Sequence, residues 1–109
     1  MSEQSNQIVV LRLAGPRLAH TECDIVKEAF NQHIRAGEIR LVLDFSDVDF
    51  IDSTMIGTLV AGIRRVNSFQ GKVVVCNLAP PLERLLAILK LEKLFTVCTT
   101  LDEAKAKMA

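Results

Sequence analysis

Residues 41–57 read LVLDFSDVDFIDSTMIG, and this stretch decides how the chain folds. Its first three residues form an apolar run that ends at Asp44, which is typical of a buried central strand. Residues 48–51 then form an extended connector. A helix is expected to begin at Asp52-Ser53, because apolar residues recur at helical spacing from there on. The apolar positions of this helix are Ile56, Leu59, Val60, Ile63 and Val66.

The residues before this stretch predict a strand, a turn and a helix. Residues 8–13 are a short β-branched run, and Ala14-Gly15-Pro16 ends it as a turn. Residues 17–19 are expected to form a brief second strand that pairs back as a hairpin. A helix follows, with Thr21 as its N-cap, and Gly37 marks its end. Its apolar face is predicted at Ile25, Val26, Ala29, Phe30, His33 and Ile34.

The residues after this stretch continue the alternation of strands and helices. Residues 73–76 predict a buried strand, and Pro80-Pro81 opens a third helix because proline is tolerated in a first turn. Residues 95–97 predict a last short strand, and Thr100 is expected to cap a final helix. The core positions of the third helix are predicted to be Leu82, Leu85, Leu86 and Leu89. This order predicts one α/β domain, residues 1–109, with a single mixed sheet.

The composition excludes several classes of function. The chain has 109 residues, and 13 Lys and Arg balance 13 Asp and Glu, so it lacks the basic surface that nucleic-acid binding requires. It has no Trp or Tyr on which bases could stack. No apolar run approaches the ~20 residues of a membrane span, so no membrane insertion is expected. The N-terminal residues are polar and resemble no signal peptide, so we expect a cytoplasmic protein.

Few residues suit catalysis or metal binding. The three cysteines, Cys23, Cys76 and Cys98, are far apart and are expected to be buried free thiols. The two histidines are isolated, so no metal site and no cofactor are predicted. The chain has no phosphate-binding glycine loop and no nucleophile elbow. A receiver-type phosphoaspartate at Asp44 is disfavoured, because Ala14-Gly15-Pro16 stands where the acidic magnesium ligands would be needed.

The acidic segment that contains Ser53 is the most informative feature. It carries four aspartates, and residues 41–63 contain no Lys or Arg. Gly57 and Ala61 follow Ser53 on one helix face, which leaves room for another protein to reach the hydroxyl. A phosphate on Ser53 would add about −1.5 to −2 charges. The spacing alone leaves a second interpretation open, in which Ser53 and Asp52 only cap the helix.

The same segment, residues 44–57, resembles the signature of STAS domains, the anti-sigma factor antagonists and related domains of sulfate transporters. The resemblance extends over nearly the whole chain. The opening strand with Gly15 and Arg17-Leu18 is similar to the start of the family. The stretch Asn77-Leu-Ala-Pro-Pro-Leu-Glu-Arg-Leu-Leu86, followed by Leu91 and Phe95, is similar to its C-terminal half. The fold it implies is a single mixed sheet of about four to five strands with about four helices on one side.

The resemblance implies a partner-switching regulator of bacterial transcription that is not an enzyme. Ser53 would be phosphorylated by an anti-sigma factor, a serine kinase of the histidine-kinase-like ATPase type, and a phosphatase would reverse this. Thr54 is the second candidate acceptor. The unphosphorylated form would bind the anti-sigma factor. The residues expected to contact it are Asp44, Asp47, Asp49, Asp52, Thr54, Met55, Gly57, Thr58 and Ala61.

The chain departs from the family pattern at two positions, which bear on the identity of the partner. Met55 stands where a glycine is common, and Ala19 stands where an acidic residue is often found. The alternative function is a STAS module without a switch. Such a module would serve as a signalling scaffold or as an accessory subunit of a membrane transporter.

Overall fold

A computed structural model describes residues 7–108 and shows an α/β domain. The strands are β1 (Val9–Arg12), β2 (Arg17–Leu18), β3 (Arg40–Asp44), β4 (Phe50–Ile51), β5 (Lys72–Cys76) and β6 (Thr96–Cys98). The helices are α1 (Cys23–Arg35), α2 (Ser53–Ser68), α3 (Pro80–Ile88) and α4 (Leu101–Met108). Short 3₁₀ turns at His20–Glu22 and Leu91–Lys93 precede α1 and β6. The predicted α/β class and the starts of α2 and α3 are confirmed.

The main sheet has four strands in the order β1-β3-β5-β6, and all of its pairs are parallel. The expected mixed sheet is thus a parallel one. Leu41 and Leu43 of β3 face a core that also takes in residues of α1, α2 and α3. Val42 and Val74 face the opposite side, where Ala104 of α4 covers them. The expectation of helices on one side is therefore wrong, because central strands that are apolar on both faces need cover on both.

The second strand does not form the predicted hairpin. Strand β2 pairs in parallel with β4, which places Leu18 beside Ile51 in a separate two-stranded sheet. Both of these side chains are buried in the core. The Pro16 carbonyl accepts hydrogen bonds from the N–H groups of Asp49 and Phe50, at 2.8 and 3.1 Å. A local pattern could not show this pairing, because it joins segments more than thirty residues apart.

Gly15 is required where the β1–β2 turn meets the acidic loop, which is the connection between β3 and β4 at residues 45–49. A Cβ atom at this position would lie 1.8 Å from the carbonyl oxygen of Asp47. The two backbones therefore approach each other more closely than any side chain allows. This contact holds the acidic loop against the β1–β2 turn.

The start of α1 differs from its prediction, whereas the end of α1 and the start of α4 agree with theirs. Thr21 is not the N-cap of α1, because a 3₁₀ turn precedes the helix and the Glu22 carboxylate accepts hydrogen bonds from Thr21 Oγ1 and the Ala19 N–H. Gly37 does end the α1 segment, with a φ of 74°. Thr100 caps α4 as predicted, since its Oγ1 accepts the Glu103 N–H at 3.1 Å.

The predicted cores of α1 and α3 each include one exposed residue. Ile25 is 71% exposed on α1, and Leu89 lies just after the last residue of α3 and is 45% exposed. Leu82 and Leu86 are buried as predicted. The three cysteines are free and buried, which confirms the prediction. Burial raises the pKa of the Cys76 thiol to about 11, so it stays protonated near neutral pH.

The two glycines inside α2 meet different surroundings. A Cβ atom at Gly62 would lie 2.4 Å from Cδ2 of Phe30, a buried residue of α1. A Cβ atom at Gly57 would meet no heavy atom within 4 Å. Gly62 therefore permits the close contact of α1 with α2, whereas Gly57 faces open space.

We expect Gly62→Ala to lower the free energy of unfolding by about 1–3 kcal/mol, because the new methyl group overpacks the Phe30 ring. Gly57→Ala is the matched control in the same helix. It is expected to raise the free energy of unfolding by about 0.5–1 kcal/mol, since alanine loses less conformational freedom on folding. Urea denaturation measures both changes. Equal stability of the two variants would contradict the described α1–α2 contact.

Candidate functional site

Asp44 anchors the loop between β3 and β4. Its Oδ1 accepts hydrogen bonds from the Ser46 N–H and from Asn77 Nδ2, each at 3.0 Å. Asn77 follows β5, so this contact joins the carboxyl ends of the two central strands. Burial tends to raise the pKa of Asp44, but the hydrogen bonds from Asn77 and Ser46 outweigh it and lower the pKa below its usual value. Asp44 is only 5% exposed, so it supports the loop rather than offering a partner its carboxylate.

Asp52 is the N-cap of α2. Its Oδ1 accepts the Met55 N–H at 2.8 Å, and its Oδ2 accepts the His20 N–H at 2.9 Å. The ring Nδ1 of His20 lies 3.3 Å from the same Oδ2. The hydrogen bond from the Met55 N–H is the main reason why the pKa of Asp52 is lowered. One carboxylate thus fixes the start of α2 and ties it to the segment before α1.

Ser53 is exposed and is the first residue of α2. Asp52 caps the helix with its own side chain, so the helix does not depend on the Ser53 hydroxyl for its cap. The sequence left open an interpretation in which Ser53 and Asp52 only cap the helix, and the structure assigns the cap to Asp52. Thr54, the second candidate acceptor, is also exposed. Both hydroxyls therefore lie at the positive end of the α2 dipole and are open to solvent.

The small residues of α2 divide between two faces. Gly57 and Ala61 are exposed and lie one and two turns after Ser53, as expected. Thr58 is only 8% exposed, and its Oγ1 donates a hydrogen bond to the Thr54 carbonyl. The expected contact surface therefore keeps Gly57 and Ala61 but does not include Thr58.

Met55 is not at the surface, which corrects its place among the expected partner contacts. The side chain is fully buried in the main core, with a relative exposure of 0%. Successive residues of a helix point in different directions, so Met55 faces the core although Ser53 and Thr54 face solvent. The departure from the family pattern at this position is thus a change of core packing.

The remaining aspartates of the segment are exposed, and one of them is paired. Arg12, at the end of β1, donates hydrogen bonds to the Asp47 carboxylate from Nε at 3.0 Å and from Nη2 at 3.3 Å. Asp49 is exposed. Arg17 of β2 lies over the Phe50 ring, 4.2 Å from its centre. The acidic segment is thus bordered by two arginines, which the absence of Lys and Arg from residues 41–63 did not indicate.

Four residues of this region were not singled out from the sequence. They are Arg12, Arg17, His20 and Asn77, and each is brought to the acidic segment by contacts over 30 or more residues. The Asn-Leu-x-Pro stretch was noted as a family feature, and it was the available signal for Asn77. The Arg17-Leu18 pair was also a feature of the resemblance, although it gave Arg17 no role, and no local pattern marked Arg12 or His20.

Among residues 7–108, no three His, Cys, Asp or Glu side chains are placed to share a metal ion. None of the helices within these residues has the length and hydropathy needed to cross a membrane.

The amino-acid sequence matches the family model described as STAS domain over residues 1–104. The chain belongs to the STAS domain family. One curated relative is the anti-sigma F factor antagonist of Paenibacillus polymyxa, which is 27% identical over 96 residues. That alignment covers 87% of this STAS domain and 81% of the relative.

Solved structures share the fold of this STAS domain. An anti-sigma-factor antagonist (STAS) domain protein from Planctomyces limnophilus has a TM-score of 0.83 and 23% identity, with 96% of this chain and 93% of that chain covered. The Bacillus cell fate determinant SpoIIAA in its phosphorylated form has a TM-score of 0.74 and 21% identity, with 96% and 94% covered. A sulfate transporter family protein from Wolinella succinogenes has a TM-score of 0.81 and 16% identity, with 93% and 84% covered.

We expect Asp44 to make this STAS domain sensitive to acid. A lowered pKa in the folded state means that the unfolded chain binds a proton first as the pH falls. The stabilisation is complete above the ordinary pKa of 3.8 and is lost as the pH drops through the lower folded value. Asp44→Asn should therefore lose less stability than the wild type between about pH 5 and about pH 2.

Urea denaturation over this pH range measures the effect. Asn77→Ala is the second variant, because it removes a donor to Asp44 and should likewise weaken the pH dependence. A wild-type pH profile in both variants would show that these hydrogen bonds to the ionised carboxylate do not stabilise the fold.

The exposed position of Ser53 predicts that a negative charge there is compatible with the fold. Ser53→Asp should leave the melting temperature within about 2 °C of the wild type, because a helix N-terminus favours an anion. Asp52→Ala is the contrasting variant, since it removes the cap, and it should lower the melting temperature by about 5 °C. A large loss of stability in Ser53→Asp would mean that the serine is structural.

Proposed function

We propose that this STAS domain is an anti-sigma factor antagonist switched by phosphorylation of Ser53. In the unphosphorylated form it binds an anti-sigma factor, which then releases its sigma factor. The anti-sigma factor is itself a serine kinase of the histidine-kinase-like ATPase type, so the chain is a kinase substrate rather than an enzyme. A phosphatase restores the binding form. Both reactions take place in the cytoplasm.

The placement of Ser53 carries this proposal. The hydroxyl is exposed at the first residue of α2, and the cap of that helix is formed by Asp52 instead. A kinase can therefore reach the hydroxyl, and its modification removes no contact that holds the helix. The adjoining exposed face at Gly57 is open, with no heavy atom within 4 Å of the place a Cβ would take. A partner can approach the helix closely along this face.

The electrostatics of the segment explain how a phosphate would act on binding. The free N–H groups of the helix N-terminus favour an anion by about 0.3–1 kcal/mol. The carboxylate of the neighbouring Asp52 opposes it. These opposing effects leave the fold nearly unchanged, whereas a partner surface fitted to a neutral hydroxyl meets about −1.5 to −2 new charges.

We propose that the partner contacts the residues near Ser53 whose side chains are exposed to solvent. This contact surface consists mainly of the exposed residues of the acidic loop and of the open face of α2. The exposed residues are Asp47, Asp49, Ser53, Thr54, Gly57 and Ala61, and Asp52, which is only partly exposed, completes the surface. Asp44 supports the loop from inside. The curated relative in Paenibacillus polymyxa, named an anti-sigma F factor antagonist, supports the identity of the partner class.

A second candidate function is a STAS module without a switch, which acts as a signalling scaffold or transporter accessory. The fold shared with a sulfate transporter family protein from Wolinella succinogenes favours this alternative. In that case the charge at residue 53 would have no effect on partner choice.

We expect the charge at residue 53 to decide which partner is bound. Ser53→Ala should retain a histidine-kinase-like ATPase from native lysate, and Ser53→Glu should lose it, because the carboxylate adds the repulsive charge. Ser68→Glu is the matched control, because it adds the same charge at an exposed serine at the far end of α2, outside the proposed surface, and it should bind as the wild type does. Mass spectrometry of the captured proteins measures the difference.

The captured kinase then provides a direct test of the acceptor. With ATP and magnesium it should phosphorylate the wild type and Thr54→Ala but not Ser53→Ala. Phosphorylation of Ser53→Ala at an unchanged number of sites would refute the assignment. Capture of the same proteins by Ser53→Ala and Ser53→Glu would favour the scaffold or transporter accessory.

A further inference from the structure

Strand β1 forms one edge of the four-stranded sheet. Among residues 7–108 it pairs only with β3, so its outer side faces no other strand. The backbone N–H and C=O groups on that side are available to another extended chain. Proteins commonly protect such an edge with charged side chains, but the only charged residue of β1 is Arg12, which is paired with Asp47.

A groove of about 300 Å³ runs between this edge and α1. Its lining is mainly apolar and includes Val10, Leu11, Leu13, Ile25, Val26 and Ala29. Ile25 is 71% exposed and Val10 is 36% exposed, although both are large aliphatic residues. A buried position was predicted for Ile25 from helical spacing. In the structure Ile25 lines this groove instead of packing into the core.

The groove lies where one more strand could be added to the sheet beside β1. Successive side chains of a strand point to opposite faces of a sheet, so a strand added beside β1 would place every second side chain under α1. Its backbone would at the same time complete the hydrogen bonds of the β1 edge. Such strand addition is a common mode of protein recognition. The occupant of this groove is therefore an extended, apolar segment.

We propose that the occupant is the β1 strand of a second copy of this chain, paired antiparallel about a two-fold axis. Residues 8–13 read IVVLRL, which supplies apolar side chains at every second position. Pairing centred on Val10 sets Arg12 of each copy opposite Ile8 of the other, so no like charges meet. Because of the two-fold symmetry, each β1 strand forms hydrogen bonds with the unpaired backbone N–H and C=O groups of the other.

The N-terminal residues of the same chain are less suited to the groove. Residues 1–6 read MSEQSN and contain a single apolar side chain, Met1. They would bring little apolar surface to a groove lined by Leu11 and Ile25. The composition therefore favours the second copy.

The dimer surface shares no residue with the proposed surface around Ser53. The groove is lined by β1, the turn after it and α1, together with Leu18, Glu22 and Leu43, whereas Gly57 and Ala61 lie on the exposed face of α2. Dimerisation would therefore leave Ser53 accessible. The two proposals stand or fall separately.

Sedimentation velocity of the full chain, from about 1 µM to about 1 mM, tests the dimer. Val10→Lys and Ile25→Lys each add a charge at the interface and should raise the dissociation constant roughly tenfold or more. Ile88→Lys is the matched control for Ile25→Lys, because Ile88 is also an exposed helical isoleucine, at 75%, and lies outside the groove. It should dimerise as the wild type does.

Amide exchange gives a second readout that does not depend on any variant. The outward N–H groups of β1 should exchange more slowly as the concentration of the wild-type chain rises. A chain that stays monomeric throughout, or a dimer unaffected by both Val10→Lys and Ile25→Lys, overturns the proposal. Deletion of residues 1–6 distinguishes between two possible occupants of the groove, a second copy of the chain and the N-terminal segment of the same chain. Stronger dimerisation after deletion would show that this segment competes for the groove, and unchanged dimerisation supports the second copy alone.

Discussion

The hydrogen bonds of Asp44 are the contacts on which the arrangement around Ser53 depends. Asp44 ends β3 and Asn77 follows β5, so one carboxylate joins the carboxyl ends of the two central strands. Its second hydrogen bond, from the Ser46 N–H, turns the chain away from the sheet. Because parallel strands end at the same edge, the loop that follows must begin there. The carboxylate remains ionised when buried because its donors replace the water it has lost.

Further contacts position the serine relative to this loop. Pairing of β2 with β4 and the close approach at Gly15 hold the loop against the β1–β2 turn. Asp52 then fixes the first turn of α2 and binds the N–H of His20. Ser53 is thus presented on a rigid element whose own stability does not depend on the hydroxyl. A rigid site converts an added charge into a change of binding rather than of folding.

Local patterns predicted the elements whose residues are neighbours in sequence. The apolar run at residues 41–43, the stripe from Ile56 to Val66 and the proline pair at residue 80 each specify an element without help from distant residues. The parallel pairing of β2, the cover of Val42 by α4 and the pairing of Arg12 with Asp47 were missed. Each joins segments far apart in the chain, which periodicity does not report.

The burial of Met55 shows how the family pattern and the local geometry combine at the site. A bulky residue two positions after the proposed acceptor would obstruct a partner if its side chain lay at the surface. The cap at Asp52 instead sets the phase of the helix so that residues 53 and 54 face solvent and residue 55 faces the core. Met55 fills apolar space between the sheet and α2, and the surface near Ser53 is formed by Thr54 and Gly57. The departure from the family pattern therefore alters core packing and leaves the approach to the serine open.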